Sequence, residues 1–120
     1  MTVVILGASN KPDRYSYKAF KMLQSHGHAV LLVHPILKDI DGVKVFNDVH
    51  ELQNETIDAV TLYLAPANSA KYEDFIIQAK PKFVIFNPGT ESSGMQARLS
   101  ASGIEVRKAC TLVLLQTGQF

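Results

Sequence analysis

The sequence predicts an α/β fold, a Rossmann-like doubly wound sandwich. A parallel sheet of about five strands lies between two helical layers in a single domain, residues 1–120. Two observations carry this. The short runs at residues 3–6, 29–33 and 83–86 are apolar at every position. Strands of that kind are covered on both faces, as the strands of parallel sheets are. Helical patterns alternate with these runs along the chain, and that alternation supplies the cover through right-handed crossovers. The 120 residues are enough to bury one core, and no linker, repeat or low-complexity segment divides them.

The elements follow in order. Residues 3–6 form the first strand, which stops at Gly7. Residues 15–26 read as a helix, with Tyr15, Ala19, Met22 and Leu23 on one apolar face and Arg14, Lys18 and Lys21 on another. Gly27 stands where a helix C-cap favours positive φ. Residues 29–33 are the second strand, stopped by His34 and Pro35. Residues 36–54 are irregular, with a short strand at 43–45 and one helical turn capped by Asp48. Residues 57–62 are the third strand. Pro66 opens a helix through Ala79, with Tyr72, Phe75, Ile76 and Ala79 at helical spacing. Residues 83–86 are the fourth strand, stopped by Asn87, Pro88 and Gly89. Ser93 and Gln96 have capping-box spacing and start a helix carrying Met95 and Leu99, which Gly103 ends. Residues 104–106 are the fifth strand. Residues 111–115 are apolar without a period and fit either a helix or a sixth strand.

Composition narrows the function classes. The chain is 47% hydrophobic and 19% charged, which excludes a disordered or fibrous protein. Its net charge of +1 argues against a general binder of nucleic acid or of anionic membranes. The single Cys cannot form an internal disulfide, and no Cys/His spacing suggests a metal site. The longest aliphatic run falls far short of the roughly 20 residues that span a bilayer. These features predict a soluble cytoplasmic protein. The small size and the apolar residues 112–115 point to a homodimer.

An open parallel sheet binds ligands beyond the carboxyl ends of its strands. The residues just past those ends are Gly7 to Arg14, His34 and Pro35, Leu64 to Pro66, Asn87 to Thr90, and Lys108 to Cys110. The first loop is the most informative. A glycine permits a tight turn, and the following helix offers free N–H groups and a positive dipole end to an anion. Lys11 and Arg14 add positive charge, and the first forty residues carry a net +3. Phosphate binding is the expected chemistry. A nicotinamide dinucleotide fits poorly, because Ser9 and Pro12 stand where G-x-G-x-x-G needs glycine, and no acid ends the second strand. The residues alone leave NADP and coenzyme A open.

The run Gly7-Ala8-Ser9-Asn10-Lys11-Pro12-Asp13-Arg14-Tyr15-Ser16-Tyr17 resembles the first loop of the small stand-alone CoA-binding domain proteins. These are relatives of the first domain of succinyl-CoA ligase α subunits. The resemblance covers nearly the whole chain, through the strand from Asp58 toward Pro66 and the closing Cys110. It implies that Gly7, Ala8, Ser9, Arg14 and Ser16, with Lys11 beside them, hold the ADP phosphates of coenzyme A, free or acylated. It implies that His34 and Pro35 flank the adenosine. Leu64, Pro66, Asn87, Pro88 and Gly89 would line the adenine and pantetheine path, and Cys110, where the family has a cysteine, reads either as an inert buried thiol or as a thiol near that of coenzyme A. Departures are Leu64 and Ala65 where many members carry Arg, Asn87 where many carry Gln, and Lys108-Ala109 where many carry Asp-Arg. The second domain in which succinyl-CoA ligase carries its phosphorylated histidine has no counterpart here. No nucleophile with a paired base stands out, so the expectation is a CoA-binding module without catalysis of its own. Two rival readings are a small NADP- or nucleotide-dependent enzyme and a degenerate domain serving as an interaction module.

Overall fold

The computed structural model describes residues 1–120. Seven strands form one sheet: β1 (Thr2–Leu6), β2 (Ala29–Val33), β3 (Asp39–Ile40), β4 (Val43–Phe46), β5 (Ala59–Leu62), β6 (Phe83–Phe86) and β7 (Glu105–Lys108). Their order is β3-β4-β2-β1-β5-β6-β7. Every pairing is parallel except the two-residue β3 against β4. The helices are α1 (Tyr15–Ser25), α2 (Pro66–Ser69), α3 (Glu73–Ala79), α4 (Ser93–Ala101) and α5 (Thr111–Gln116), with 3₁₀ turns at Val49–Leu52 and Ala70–Tyr72. None is long and apolar enough to cross a membrane.

Strand alternation builds two cores. Val4, Leu6, Val60, Leu62, Val84 and Phe86 pack under Ile76, Met95 and Leu99 on one side. Val3, Ile5, Ala59, Phe83 and Ile85 pack under Phe20, Leu23 and Leu115 on the other. All four residues of the apolar run β6 are buried, and so are all four of β5, its one polar residue Thr61 included. At the opposite edge from the strand ends, Thr2 N–H donates to Asp58 Oδ2 at 2.8 Å and Asp58 N–H returns a bond to Thr2 O. The Thr2 bond holds the Asp58 carboxyl below its ordinary range.

The doubly wound sandwich stands as expected, with seven strands in place of about five. The third strand starts at Ala59, not residue 57, and the last runs Glu105–Lys108 rather than 104–106. The added strand β3 comes from a hairpin at Asp41-Gly42, where both residues take positive φ. On α1 the buried face is Ser16, Ala19, Phe20 and Leu23, whereas Tyr15 is exposed and Met22 half-buried. Tyr15 opens the helix beyond the sheet edge, where nothing covers it. The helix expected over residues 66–79 breaks into α2, a 3₁₀ turn and α3. Ser69 Oγ donates back to Pro66 O and competes with the helical pattern. The α4 cap is Ser92, one residue earlier than expected: its Oγ accepts from Met95 N–H, and its N–H donates to Gln96 Oε1. Gly27, Gly103 and the Asp48 cap take their expected roles. Residues 111–115 resolve as helix, and Leu115 seals it against the sheet. Glu73 takes a two-pronged ion pair from Arg98 at 2.7 and 2.8 Å, which links α3 to α4.

Candidate functional site

The strand order reverses between β1 and β5, and a cleft of about 510 Å³ opens there beyond the strand ends. That volume suits a small-molecule site. Gly7, Ser9, Asn10, Lys11, Arg14, Tyr15 and Ser16 form one wall, His34 and Leu37 a second, and Tyr63 a third.

Gly7 makes the turn out of β1 at φ +94°. A Cβ there would stand 3.0 Å from Tyr63 O and from Leu64 Cγ, so glycine is needed both for the angle and for the close approach of the β5 turn. Gly7→Ala is expected to cost about 1–3 kcal/mol of stability. Gly89, also at positive φ but with open space around it, is the control. Gly89→Ala meets the backbone strain alone, so denaturant midpoints should fall further for Gly7→Ala than for Gly89→Ala.

The loop's hydrogen bonds divide it in two. Gly7 and Ala8 N–H both donate to Val33 O, at 3.3 and 3.1 Å, which ties the loop to the end of β2. Ala8 itself is buried in the core. Further on, the N–H groups of Ser9 and Asn10, and those of Tyr15, Ser16 and Tyr17 in the first turn of α1, find no acceptor in the protein. No side chain caps α1, and no acid lies in its first turn. The Ser16 hydroxyl makes no internal hydrogen bond, and Lys11 and Arg14 join no ion pair. Unspent donors and positive charge therefore meet at one helix start, the arrangement that receives an anion.

His34 completes the donor set. The N–H groups of Ile36 and Leu37 both donate to its Nδ1 at 3.0 Å. Nδ1 is thus the acceptor, which leaves the ring proton on Nε2, and His34 lines the cleft. Asn47 holds this loop by donating to His34 O and Leu37 O at 2.7 and 2.8 Å.

Other residues singled out in the sequence lie along the same edge but outside the cleft lining. Pro35 and Pro66 are exposed, and Leu64 packs half-buried over Gly7. Pro88 and Gly89 are exposed in the turn after β6. Cys110 is half-buried at the start of α5. Asn87 is only 3% exposed, and its side chain is saturated internally. Its Nδ2 donates to Thr61 Oγ1 and Leu62 O, and its Oδ1 accepts from Thr111 N–H and Thr111 Oγ1. Asn87 thereby pins β5, β6 and α5 together below the ligand edge. Sequence reasoning missed Tyr63 and Leu37. Strand alternation carried the signal for Tyr63, which shares a face with Ala59 and Thr61.

An open parallel sheet with an electropositive cleft at its switch point defines a Rossmann-like ligand-binding domain. The chain belongs to the CoA binding domain family, whose model matches residues 1–116. A solved structure of an uncharacterized protein is 38% identical, with TM-score 0.90, over 99% of this chain and 97% of that one. A conserved hypothetical protein from Pyrococcus furiosus is 27% identical, with TM-score 0.81, over 93% and 97% of the two chains. The fold also recurs in the dinucleotide-forming acetyl-coenzyme A synthetase 1 of Ca. Korarchaeum cryptofilum. That likeness is 18% identical with TM-score 0.73, over 90% of this chain and 25% of that one. Uncharacterized protein YneT of Bacillus subtilis (strain 168) is 30% identical over 61 residues, 51% of this chain and 44% of that protein. The matched stretch thus spans under half the length of that relative.

Proposed function

We propose that this chain binds coenzyme A, free or as an acyl thioester, and seats its pyrophosphate on the loop from Ser9 to Ser16. The observation that carries this is the set of unspent N–H groups that meets Lys11, Arg14 and His34 around one cleft. Family membership supports coenzyme A as the source of those phosphates. In this reading the donors are the Ser9, Asn10, Tyr15, Ser16 and Tyr17 amides and the Ser16 hydroxyl. Gly7 and Ala8 shape the loop rather than donate to the ligand, because Val33 O takes their N–H groups. His34 and Pro35 border the adenosine half. Leu64 and Pro66 border the path of the arm, which passes Pro88 and Gly89 toward Cys110, while Asn87 holds those turns in place.

Thermal unfolding tests the proposal. A ligand at about 100 times its Kd adds roughly 2.7 kcal/mol. For a domain of this size that is a rise of several degrees in melting temperature. Coenzyme A should produce the rise and NADP should not. A rise with NADP alone overturns the proposal in favour of a nucleotide-dependent enzyme, and no rise with either leaves an interaction module.

A further inference from the structure

Tyr15 is an aromatic side chain that the fold leaves uncovered. It is 68% exposed, and it stands on the wall of the cleft. The other tyrosines are committed elsewhere: Tyr17 donates to Asp41, and Tyr63 and Tyr72 pack against the two cores. The Lys18 ammonium lies 5.4 Å from the Tyr15 ring centroid and joins no ion pair, which adds a cation beside the ring. A lone exposed hydrophobe needs no explanation, but this one is not alone. Ile36, 74% exposed, lies between His34 and Leu37, which form the second wall of the cleft. That wall is held stiff by Asn47 and by the two amides that bond His34 Nδ1. Along the chain Tyr15 stands between Arg14 and Ser16, inside the anion-receiving loop. In a nucleotide a single ribose separates the base from its phosphates, so the surface that receives the base must adjoin the phosphate cradle. Tyr15 meets that requirement, and an aromatic face takes a nucleobase by stacking.

We propose that the Tyr15 ring is the platform on which the adenine of bound coenzyme A stacks, with residues 34–37 bordering the base from the second wall. This rests on the coenzyme A reading above. It makes Tyr15 a specificity-determining residue for the nucleotide half of the ligand, because a flat ring matches a flat base and not a flexible pantetheine arm.

The test titrates Tyr15→Ala and Tyr15→Phe calorimetrically with coenzyme A and with ADP, which has the adenine and the pyrophosphate but no arm. The alanine variant should bind both about tenfold more weakly, the ordinary worth of stacking one base on one ring. The phenylalanine variant keeps the ring and should bind as wild type does. Unchanged affinity in the alanine variant overturns the proposal. A loss toward coenzyme A alone does so as well, because it puts the ring on the arm. A phenylalanine variant as weak as the alanine one also overturns it, since the hydroxyl is then the binding group. Tyr15→Trp adds a readout that a merely structural role does not move. The chain has no tryptophan, so emission comes from the introduced indole alone. Coenzyme A and ADP should quench it by stacking, and phosphopantetheine, which has no base, should not. Coenzyme A that binds this variant without quenching overturns the proposal and leaves the coenzyme A reading intact. A wild-type chain that binds neither coenzyme A nor ADP overturns both.

Discussion

Asn87→Leu is expected to remove about 3–5 kcal/mol of stability, a large effect for a substitution that keeps the heavy-atom branching and removes only the polar atoms. Asn87 fills four hydrogen-bonding positions at once, joining the Thr61 hydroxyl, the Leu62 carbonyl, the Thr111 N–H and the Thr111 hydroxyl. The two threonines keep their bond to each other after the substitution, at 2.8 Å. Leu62 O and Thr111 N–H do not have that recourse: Thr111 N–H opens α5 and has no intrahelical acceptor. Each buried group left unpaired costs roughly 1–3 kcal/mol. Urea unfolding of wild type and variant measures the loss as a lower midpoint at unchanged slope. A loss below about 1 kcal/mol would mean that water or a rearranged Thr111 replaces the amide. A Thr111→Val partner closes a double-mutant cycle, and the two losses should add to more than the double variant shows, because they break the same bonds.

The same cluster shows where a sequence is legible and where it is not. Residues 29–33 and 83–86 read correctly as strands because both faces of each run are apolar, and both are interior strands paired on two sides. The sequence placed the loop after β1 at the carboxyl edge of the sheet, where the strand order reverses, and a cleft opens there. The β3 hairpin was missed although Asp41-Gly42 is a strong two-residue turn signal, since two residues of strand carry no periodicity. The face of α1 was misjudged because Tyr15 and Phe20 are equally apolar as letters, and only the reach of the sheet decides that Phe20 is covered. Asn87 read as a ligand contact from its place after a strand. Its parity with Phe83 and Ile85 was the better guide, since that face lies beneath α5. Which amides are free was not legible at all. It depends on Val33 O capturing Gly7 and Ala8, a contact between segments 25 residues apart.

Removing the two cations of the loop, with Lys11→Ala and Arg14→Ala together, is expected to weaken coenzyme A binding by about 100-fold while leaving the free protein as stable as before or more so. Opposite signs for ligand and fold follow from the geometry. Arg14 is the N-cap of α1, so its positive charge adjoins the positive end of the helix dipole. No acid in the first turn offsets it, and neither cation has an ion-pair partner to lose. In the free protein the charges are a mild electrostatic burden, and only an anion in the cleft reverses that sign. Salt supplies a second readout. Exposed charges are screened over about 10 Å at 0.1 M salt, so wild-type affinity should fall as salt rises and the double variant should respond less. Arg14→Lys should recover part of the affinity, because an ammonium keeps the charge but not the planar fork that engages two phosphate oxygens. Unchanged coenzyme A affinity in the double variant would place the pyrophosphate away from this loop. A double variant that unfolds at markedly lower temperature without ligand would show instead that Lys11 and Arg14 hold the loop together, with the anion elsewhere on the strand-end edge.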